Sequence, residues 1–574
     1  MLQMPRFCPG WTILAVPAEA DKSGMDLPAR SIAIHHTGRH NSPMRDFHFP
    51  GRSPAIGGEG MAATSMPAAT LAALDVLKSG GNAMDAAIAA VAVLSVIEPQ
   101  ATGIGGDCFC LYAPASGGVH ALNGSGRSPA ALTLEALEKQ GIAMLAPTSA
   151  HAVTIPGSVA AWEALLTRFG TKGLDTLLQP AIALAEQGMR VHARVALDWS
   201  RNEDKLRNTG AYSFLPDGHA PSMGDLFRQP ALAETLRVIA RQGARGFYEG
   251  AIAADMVATL QAKGGLHTEE DFAAGLTAPE FVTPIHRAWK NYEVWQCPPN
   301  GSGLLVLMML GILEGFEHPP EGPLSALRLH RHAEAARMVY RDRDAFLADP
   351  AQVAVPLERL LSDSYLTALR GLIDDQKATT TLPAAGETLL PRHRDTVYLS
   401  VVDRYGNACS LINSLFNDFG SGILAGQSGV LLQNRGLGFR LERGHPNCVG
   451  PRKRPMHTII PGMLMKDGQA VMPYGVMGGH FQPMGQTLFL TNMLEFGMDV
   501  QQALDCPRLF PFRGKLEIER GIPVEARTAL TALGHDLEEI EFPHGGGQGI
   551  WIDRQRGVLL GGSDPRKDGL AMGY

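Results

Sequence analysis

Several features that would assign this 574-residue sequence to a protein class at once are missing from it. No apolar run reaches the roughly 18 residues that a membrane-spanning helix requires. The seven cysteines are an odd number and have neither the spacing of a disulfide framework nor that of a zinc knuckle. Aromatic residues make up 6% of the chain, and the net charge of −7 leaves no basic excess for binding nucleic acid or an anionic membrane. We therefore expect neither a membrane nor a nucleic-acid partner.

Common catalytic and metal-binding motifs are also missing. There is no GxSxG elbow, no HExxH pair and no GxxxxGK phosphate loop. The nearest approach to a phosphate loop, GIGGDCF at 103–109, lacks the lysine and is interpreted as a buried turn. His330 and His332 are two residues apart, which places them on different faces of a helix. The sequence predicts no cofactor and no metal.

The composition is that of a globular protein, with 45% hydrophobic and 19% charged residues. The first 57 residues differ from the rest, and we expect them to form a disordered extension. A short apolar stretch after Arg6 weakly resembles a secretory signal, but Pro9 and Gly10 interrupt it, and Met44 is an alternative start of translation. We favour a cytoplasmic location, in which the cysteines are small buried apolar residues, over a periplasmic one.

Helical patterns dominate the first two thirds of the chain. Residues 67–79 have apolar side chains at helical spacing, with Pro67 in the first turn and two glycines at the end. The following run, AAIAAVAVLSVI, is too short to span a bilayer and predicts a helix buried on every side. Residues 174–265 predict further helices, and 323–348 one long helix or two. Short β-type runs fill the last third, which favours an α+β layered fold over a βαβ repeat.

A charged loop, GETLLPRHRD, precedes a strand with period-two alternation, and Thr396 is the residue at the junction. A threonine hydroxyl is a weak nucleophile at neutral pH and needs a neighbouring base. Cutting the peptide bond between Asp395 and Thr396 would supply one, because the new α-amino group lies on the same residue as the hydroxyl. The junction is equally compatible with an ordinary first residue of a strand.

The stretch that begins at Thr396, DTVYLSVVDRYGNACSLINSLFNDFGSGILAGQSGVLLQN, resembles the start of the small subunit of the gamma-glutamyltranspeptidase family. Segments at 60–109, 154–162, 332–350 and 561–574 are similar in the family's order and spacing. The resemblance implies a four-layer αββα sandwich of the N-terminal-nucleophile hydrolase type and a proenzyme that cuts itself before Thr396. A large subunit, 58–395, and a small one, 396–574, would then form one αββα domain as a heterodimer, with a higher oligomer also possible.

The same resemblance implies two further parts of the catalytic site. Ser414, in INSLF, matches a family threonine whose hydroxyl bonds the nucleophile, and serine keeps that hydroxyl. Gly478 and Gly479, in VMGGHF, match a glycine pair whose N–H groups form the oxyanion hole. Two adjacent N–H donors at a turn are able to stabilise a tetrahedral oxyanion.

The substrate pocket departs from the family where the ammonium group of a glutamyl substrate would bind. The family uses an acidic residue and an amide there, and this chain has Gly438 and Phe416 instead. Neither side chain accepts a hydrogen bond from an ammonium. Arg435 replaces a family glutamine and adds a positive charge, so that the pocket favours an anionic or neutral acyl group.

The clamp for the substrate's carboxylate is kept in part. The family's arginine aligns with Ser125, and Arg127, two residues further on, is the candidate for its role. His457 and Thr458 match a serine pair. Since guanidinium groups suit bidentate binding of carboxylates, Arg127 and Arg435 together are candidates to hold a small dicarboxylic acyl group.

The resemblance therefore predicts an amide hydrolase that acts through a Thr396 acyl-enzyme. Its substrate is a gamma-glutamyl amide such as glutathione, or an amide without the α-amine, as in glutaryl-type cephalosporin acylases or oxamate amidohydrolases. The remote alternative is an uncut, inactive homologue that only binds.

Overall fold

In the computed structural model, which describes residues 51–379 and 396–574, buried side chains fill both faces of the longest strands. A strand that is buried on both faces must lie between two other layers. Most of the extension predicted over 1–57 and all of the loop before Thr396 up to Asp395 lie outside the described residues. The last residues of that extension, Ala55–Gly57, are not disordered but form a strand that pairs with Gly561, Leu560 and Leu559. Within the described ranges, no helix is long and apolar enough to cross a bilayer.

The strands are β1 Ala55–Gly57, β2 Met61–Thr64, β3 Asp107–Ala113, β4 His120–Gly124, β5 Met189–Arg190, β6 Leu226–Phe227, β7 Glu280–Val282, β8 Ile285–Trp289, β9 Tyr292–Gln296, β10 Val397–Val402, β11 Ala408–Ser414, β12 Leu424–Ala425, β13 Val430–Leu431, β14 Gly462–Lys466, β15 Gln469–Met477, β16 Leu509–Phe512, β17 Lys515–Ile518, β18 Leu537–Glu539, β19 Gly546–Asp553, β20 Val558–Ser563 and β21 Leu570–Gly573.

The α-helices are α1 Pro67–Lys78, α2 Ala83–Ile97, α3 Leu134–Lys139, α4 Ser158–Phe169, α5 Leu174–Leu177, α6 Gln179–Gln187, α7 Ala193–Ser200, α8 Glu203–Thr209, α9 Pro230–Gln242, α10 Arg245–Tyr248, α11 Ala251–Gln261, α12 Glu269–Gly275, α13 Leu304–Leu313, α14 Ala326–Phe346, α15 Leu357–Leu360, α16 Asp363–Arg370, α17 Gln482–Phe496, α18 Val500–Asp505 and α19 Val524–Ala532. Short 3₁₀ turns cover Ala150–Ala152, Tyr212–Phe214, Pro216–Gly218, Arg435–Gly438 and Gly479–Phe481.

Two seven-stranded antiparallel sheets form the centre of the fold. The first sheet has the strand order β1-β20-β19-β15-β14-β9-β8, and the second has the order β21-β2-β10-β11-β3-β4-β7. Both sheets contain strands from before and after residue 396. In the second sheet, β10 pairs with β2 on one side and with β11 on the other. Neither sheet is complete without both parts of the chain.

Three hydrophobic cores show that the layers are stacked as αββα. One core joins α1 and α2 to the outer face of the second sheet, and another joins α13, α14 and α17 to the outer face of the first. The third lies between the sheets and contains Tyr398, Ile412, Met463 and Ile550. The α+β sandwich predicted from the sequence is confirmed.

The strongest helical predictions agree with the structure. α2 begins at Asn82, whose side chain accepts hydrogen bonds from the Met84 and Asp85 N–H groups, and every residue of the helix is buried. The 323–348 region forms one helix, α14, of 21 residues. The strands before residue 300 were not predicted; β2, β4 and β7 among them are too short or too rich in alanine to produce a clear alternation.

Candidate active site

Thr396 lies immediately before β10, and its side chain is buried. β10 pairs with β11 so that Val397 faces Asn413, which brings Thr396 opposite Ser414 at the end of β11. The Thr396 hydroxyl donates a hydrogen bond to Ser414 Oγ at 3.2 Å, and the Phe416 N–H donates to the same oxygen at 2.9 Å. The two hydroxyl residues predicted for the nucleophile site are thus in direct contact.

The contacts between β10 and β15 place Thr396 relative to the glycine turn. Ser400 Oγ donates to the Pro473 carbonyl at 3.0 Å, and the Tyr398 ring covers Gly475 so closely that a Cβ there would lie 2.4 Å from it. β10 and β15 therefore run in opposite directions where they meet: Ser400 lies against Pro473, and Tyr398, two residues earlier, lies against Gly475, two residues later. Continuing by two residues in each strand leads to Thr396 and to Met477, the residue before Gly478.

Gly478 and Gly479 form the turn between β15 and the 3₁₀ turn that opens α17. Both have positive φ angles, 112° and 57°, and a Cβ on Gly478 would lie 2.8 Å from the Gly545 Cα. Glycine is the residue that adopts this conformation at no steric cost. The Gly478 carbonyl accepts a hydrogen bond from the Phe481 N–H at 3.0 Å, which fixes the orientation of the peptide between the two glycines.

Arg435 is completely buried and has few partners. Its Nη1 donates to Thr458 Oγ1 at 2.8 Å, and its guanidinium lies over the Phe416 ring, 4.2 Å from the centroid. Nε and Nη2 have no hydrogen-bond partner among the described residues. Burial lowers the pKa of Arg435 to about 9, and the Asp107 carboxylate opposes that shift. A buried cation with two unused donors is costly unless an anion completes the site.

The resemblance places Phe416 and Gly438 where the family binds an ammonium. The backbone restricts which side chains both positions can hold. Phe416 is buried and has a φ of 82°, an uncommon value for a bulky residue. A Cβ at Gly438 would lie 2.6 Å from the Met456 carbonyl oxygen. The chain has no room for an acidic side chain at position 438 without moving the segment of Met456.

Arg127, the candidate for the carboxylate clamp, is engaged by other protein groups. Arg127 Nη1 bonds to Asp349 at 3.2 Å and to the Arg452 carbonyl at 3.1 Å, and Nη2 bonds to Glu280 at 3.0 Å. These partners satisfy its charge within the protein. Sequence spacing could not reveal this, because Glu280 and Asp349 are more than 150 residues away from Arg127.

His457 is adjacent to Thr458 but both of its ring nitrogens are occupied. Nδ1 lies 3.3 Å from the Ile459 N–H, which donates to it, so Nε2 carries the proton and donates to Asp107 at 3.0 Å. Burial, followed by the charge of Arg435, lowers the pKa of His457 to about 3. His457 therefore supports the wall of the site as a neutral ring and has no nitrogen left to offer a substrate.

Asp107 is the residue of this region that the sequence analysis missed. Its Oδ1 accepts from the Gly126 and Gly157 N–H groups and from Gln433 Nε2, and its Oδ2 accepts from His457. The feature that could have indicated Asp107 is an acidic residue at the start of a fully buried strand, within the GIGGDCF segment that was interpreted as a turn. Asp107 is the carboxylate whose charge acts on buried Arg435.

One group of side chains in the described ranges has a composition that could hold a metal ion: His330, Glu334 and His535, here called the His330 cluster. The potential ligand atoms already bond to protein groups. His330 Nδ1 and His535 Nε2 are 2.8 Å apart, and the Glu334 carboxylate accepts from Arg337 and from the Thr379 N–H. The cluster ties α14 to neighbouring segments and is separate from Thr396.

Comparison with known proteins agrees with this geometry. The family model for gamma-glutamyltranspeptidase matches residues 69–574. A glutathione hydrolase-like proenzyme of Bacillus subtilis is 38% identical, with 87% of this chain and 95% of the relative covered. An oxamate amidohydrolase proenzyme of Klebsiella pneumoniae is 34% identical, with 91% of this chain and 100% of the relative covered.

A solved structure extends the agreement to the whole fold. The cephalosporin acylase of Bacillus halodurans superposes with a TM-score of 0.85 at 38% identity, covering 93% of this chain and 99% of the acylase. The sequence match and the shared αββα sandwich lead to one assignment. The chain belongs to the gamma-glutamyltranspeptidase family of N-terminal-nucleophile amide hydrolases.

Proposed function

We propose that Thr396 is the nucleophile and that the chain cuts itself between Asp395 and Thr396. Three observations support this: the position of Thr396 before a central strand, its hydrogen bond to Ser414, and the approach of β15 towards it. The relatives named as proenzymes agree with such a cut. The fragments 1–395 and 396–574 then form a heterodimer, held together by sheets that contain strands of both.

In the proposed reaction the Thr396 hydroxyl attacks the carbonyl carbon of a substrate amide. The α-amino group of Thr396 accepts the hydroxyl proton, and the N–H groups of Gly478 and Gly479 bind the oxyanion. The amine then leaves with that proton, and an acyl ester remains on Thr396. Water attacks the ester by the same route and regenerates the enzyme. Ser414 holds the hydroxyl in place throughout.

We further propose that the acyl group carries a carboxylate bound by Arg435. The observation that carries this proposal is the complete burial of Arg435 with Nε and Nη2 unpaired. Phe416 links the two sites, because its N–H bonds to Ser414 Oγ and its ring lies under the guanidinium. A substrate carboxylate beside Nε and Nη2 would form the paired, charge-assisted bonds typical of arginine.

The same surroundings disfavour an ammonium on the acyl group. Gly438 and Phe416 have no side-chain acceptor, and Arg435 repels a second cation. Glutaryl amides and oxamate, which is the monoamide of oxalic acid, satisfy both conditions, since each has a carboxylate and lacks the α-amine. A gamma-glutamyl amide satisfies only the first of them. We therefore rank amides without the α-amine above glutathione-like substrates.

Two measurements test the proposal. Denaturing electrophoresis and amino-terminal sequencing should find two fragments, the smaller beginning with Thr396. The processed protein should hydrolyse oxalyl, succinyl or glutaryl amides, and the optimal length in this series measures the distance from Thr396 to Arg435. A single uncut band without activity would instead support the inactive binding homologue.

A further inference from the structure

Tyr340, on α14, contacts the glycine turn from outside the substrate pocket. Its hydroxyl donates a hydrogen bond to the carbonyl oxygen of His480, the residue after Gly479. We propose that Tyr340 is a positioning residue that orients and polarises the Gly479 N–H, the donor at the end of a hydrogen-bond chain that starts at its hydroxyl. This inference rests on the proposed role of the glycine pair as the oxyanion hole.

The hydrogen-bond chain from Tyr340 runs through two peptide groups. The carbonyl of the peptide between His480 and Phe481 accepts from Tyr340, and the N–H of that same peptide donates to the Gly478 carbonyl at 3.0 Å. The Gly478 carbonyl belongs in turn to the peptide whose N–H is that of Gly479. In a trans peptide the N–H points opposite to the carbonyl. The Gly479 N–H is therefore directed away from Phe481, and it is the donor that we assign to the oxyanion.

Each bond in such a series strengthens the next, because a carbonyl that accepts a hydrogen bond makes the N–H of its own peptide a better donor. The Tyr340 hydroxyl thus increases the partial positive charge on the Gly479 hydrogen. An oxyanion in the transition state gains more from that charge than the neutral carbonyl of the bound substrate. The expected consequence is a change in kcat with little change in KM.

The structure holds the Tyr340 hydroxyl in one place. The ring is buried, packs against Phe510 at a centroid distance of 5.6 Å and lies under the Arg343 guanidinium at 4.7 Å. Arg343 also contacts His480 Nδ1 at 3.2 Å and bonds to Asp344 at 2.7 Å. His480 is therefore held at its carbonyl and at its ring by two residues one turn apart on α14.

Tyr340→Phe removes the hydroxyl and keeps the ring contacts. We expect a three- to tenfold lower kcat, a KM within twofold of wild type, and a Tm lowered by only a few degrees, because the buried His480 carbonyl loses one donor. Tyr365→Phe is the matched control, because Tyr365 also donates to an α14 residue, Asp342 at 2.8 Å, but has no link to the glycine turn. A kcat within twofold of wild type in Tyr340→Phe, or a KM that changes together with kcat, would overturn the proposal.

A second variant should change kcat in the opposite direction. Replacing Tyr340 with a monofluorotyrosine keeps the shape and makes the hydroxyl a stronger donor, so kcat should rise above wild type. The carbonyl stretch of the acyl-enzyme should shift to lower frequency in this protein and to higher frequency in Tyr340→Phe. If Tyr340→Phe remains uncut, the fluorotyrosine protein decides, and an unchanged kcat and stretch refute the proposal. Loss of activity in Thr396→Ala tests the proposed function separately from these outcomes.

Discussion

Arg435→Gln separates binding of the acyl carboxylate from the rest of catalysis. Arg435 offers Nε and Nη2 to a substrate, and a hydrogen bond to a charged group contributes about 1.5–3 kcal/mol. Two bonds at the lower value give about 3 kcal/mol, and each 1.36 kcal/mol is about tenfold in rate. We therefore expect kcat/KM for a glutaryl amide to fall at least about 100-fold.

The assay compares two p-nitroanilides that differ at one end of the acyl chain. The glutaryl compound ends in a carboxylate and the pentanoyl compound ends in a methyl group of similar position. In Arg435→Gln, kcat/KM for the pentanoyl compound should stay within threefold of wild type. Arg127→Gln is the control, because Asp349 and Glu280 already satisfy that guanidinium. The ratio of glutaryl to pentanoyl activity should not change in this variant.

The same ratio should depend on pH in wild type. Arg435 has a lowered pKa of about 9, so its charge is present at neutral pH and is lost as the pH rises through that value. Because kcat/KM reports the ionisation of the free enzyme, the glutaryl preference should disappear above about pH 9 and remain constant below it. An Arg435→Gln enzyme that keeps its glutaryl preference within threefold, or an Arg127→Gln enzyme that loses it, would refute the assignment.

The remaining predictions concern maturation, metals and the ammonium site. Thr396→Ala should give a single inactive chain and Thr396→Ser a slowly cut one, as measured by electrophoresis over time; a small fragment with another first residue would contradict the nucleophile. Dialysis against a chelator should leave activity unchanged, because attack, proton transfer and oxyanion binding come from Thr396 and the glycine turn; loss of activity with recovery on adding one metal would direct attention to the His330 cluster. Wild type should hydrolyse a glutaryl amide at least as fast as the gamma-glutamyl amide, and Phe416→Asn should reduce that difference, since asparagine tolerates the φ of 82° and offers an acceptor. A tenfold wild-type preference for gamma-glutamyl would mean that another residue binds the ammonium. Gly438→Asp is less suited to this test, because its Cβ would meet the Met456 carbonyl.

Sequence predicted those parts of the fold that depend on local pattern. The all-apolar run after Asp85 could only be a fully buried helix, and the alternation after Thr396 could only be a strand. The pairing of Thr396 with Ser414 was predicted from the resemblance, and the register of β10 and β11 shows how the two residues come to face each other. In contrast, Arg127 is paired with carboxylates while Arg435 keeps two donors without a partner among the described residues. This difference depends on partners that are distant in sequence. The same holds for Asp107, whose four donors come from four separate segments.

Because both sheets combine strands from the two parts of the chain, the proposed cut has a consequence for the stability of the protein. While the chain is whole, its two parts meet at the high local concentration that a shared backbone provides. After the proposed cut, each unfolding event would release two polypeptides that must find each other again, and each would expose unpaired strand edges while it does so. The separated fragments would therefore not readily refold into the mature protein. Its lifetime depends on the barrier to unfolding more than on the equilibrium free energy of the folded state.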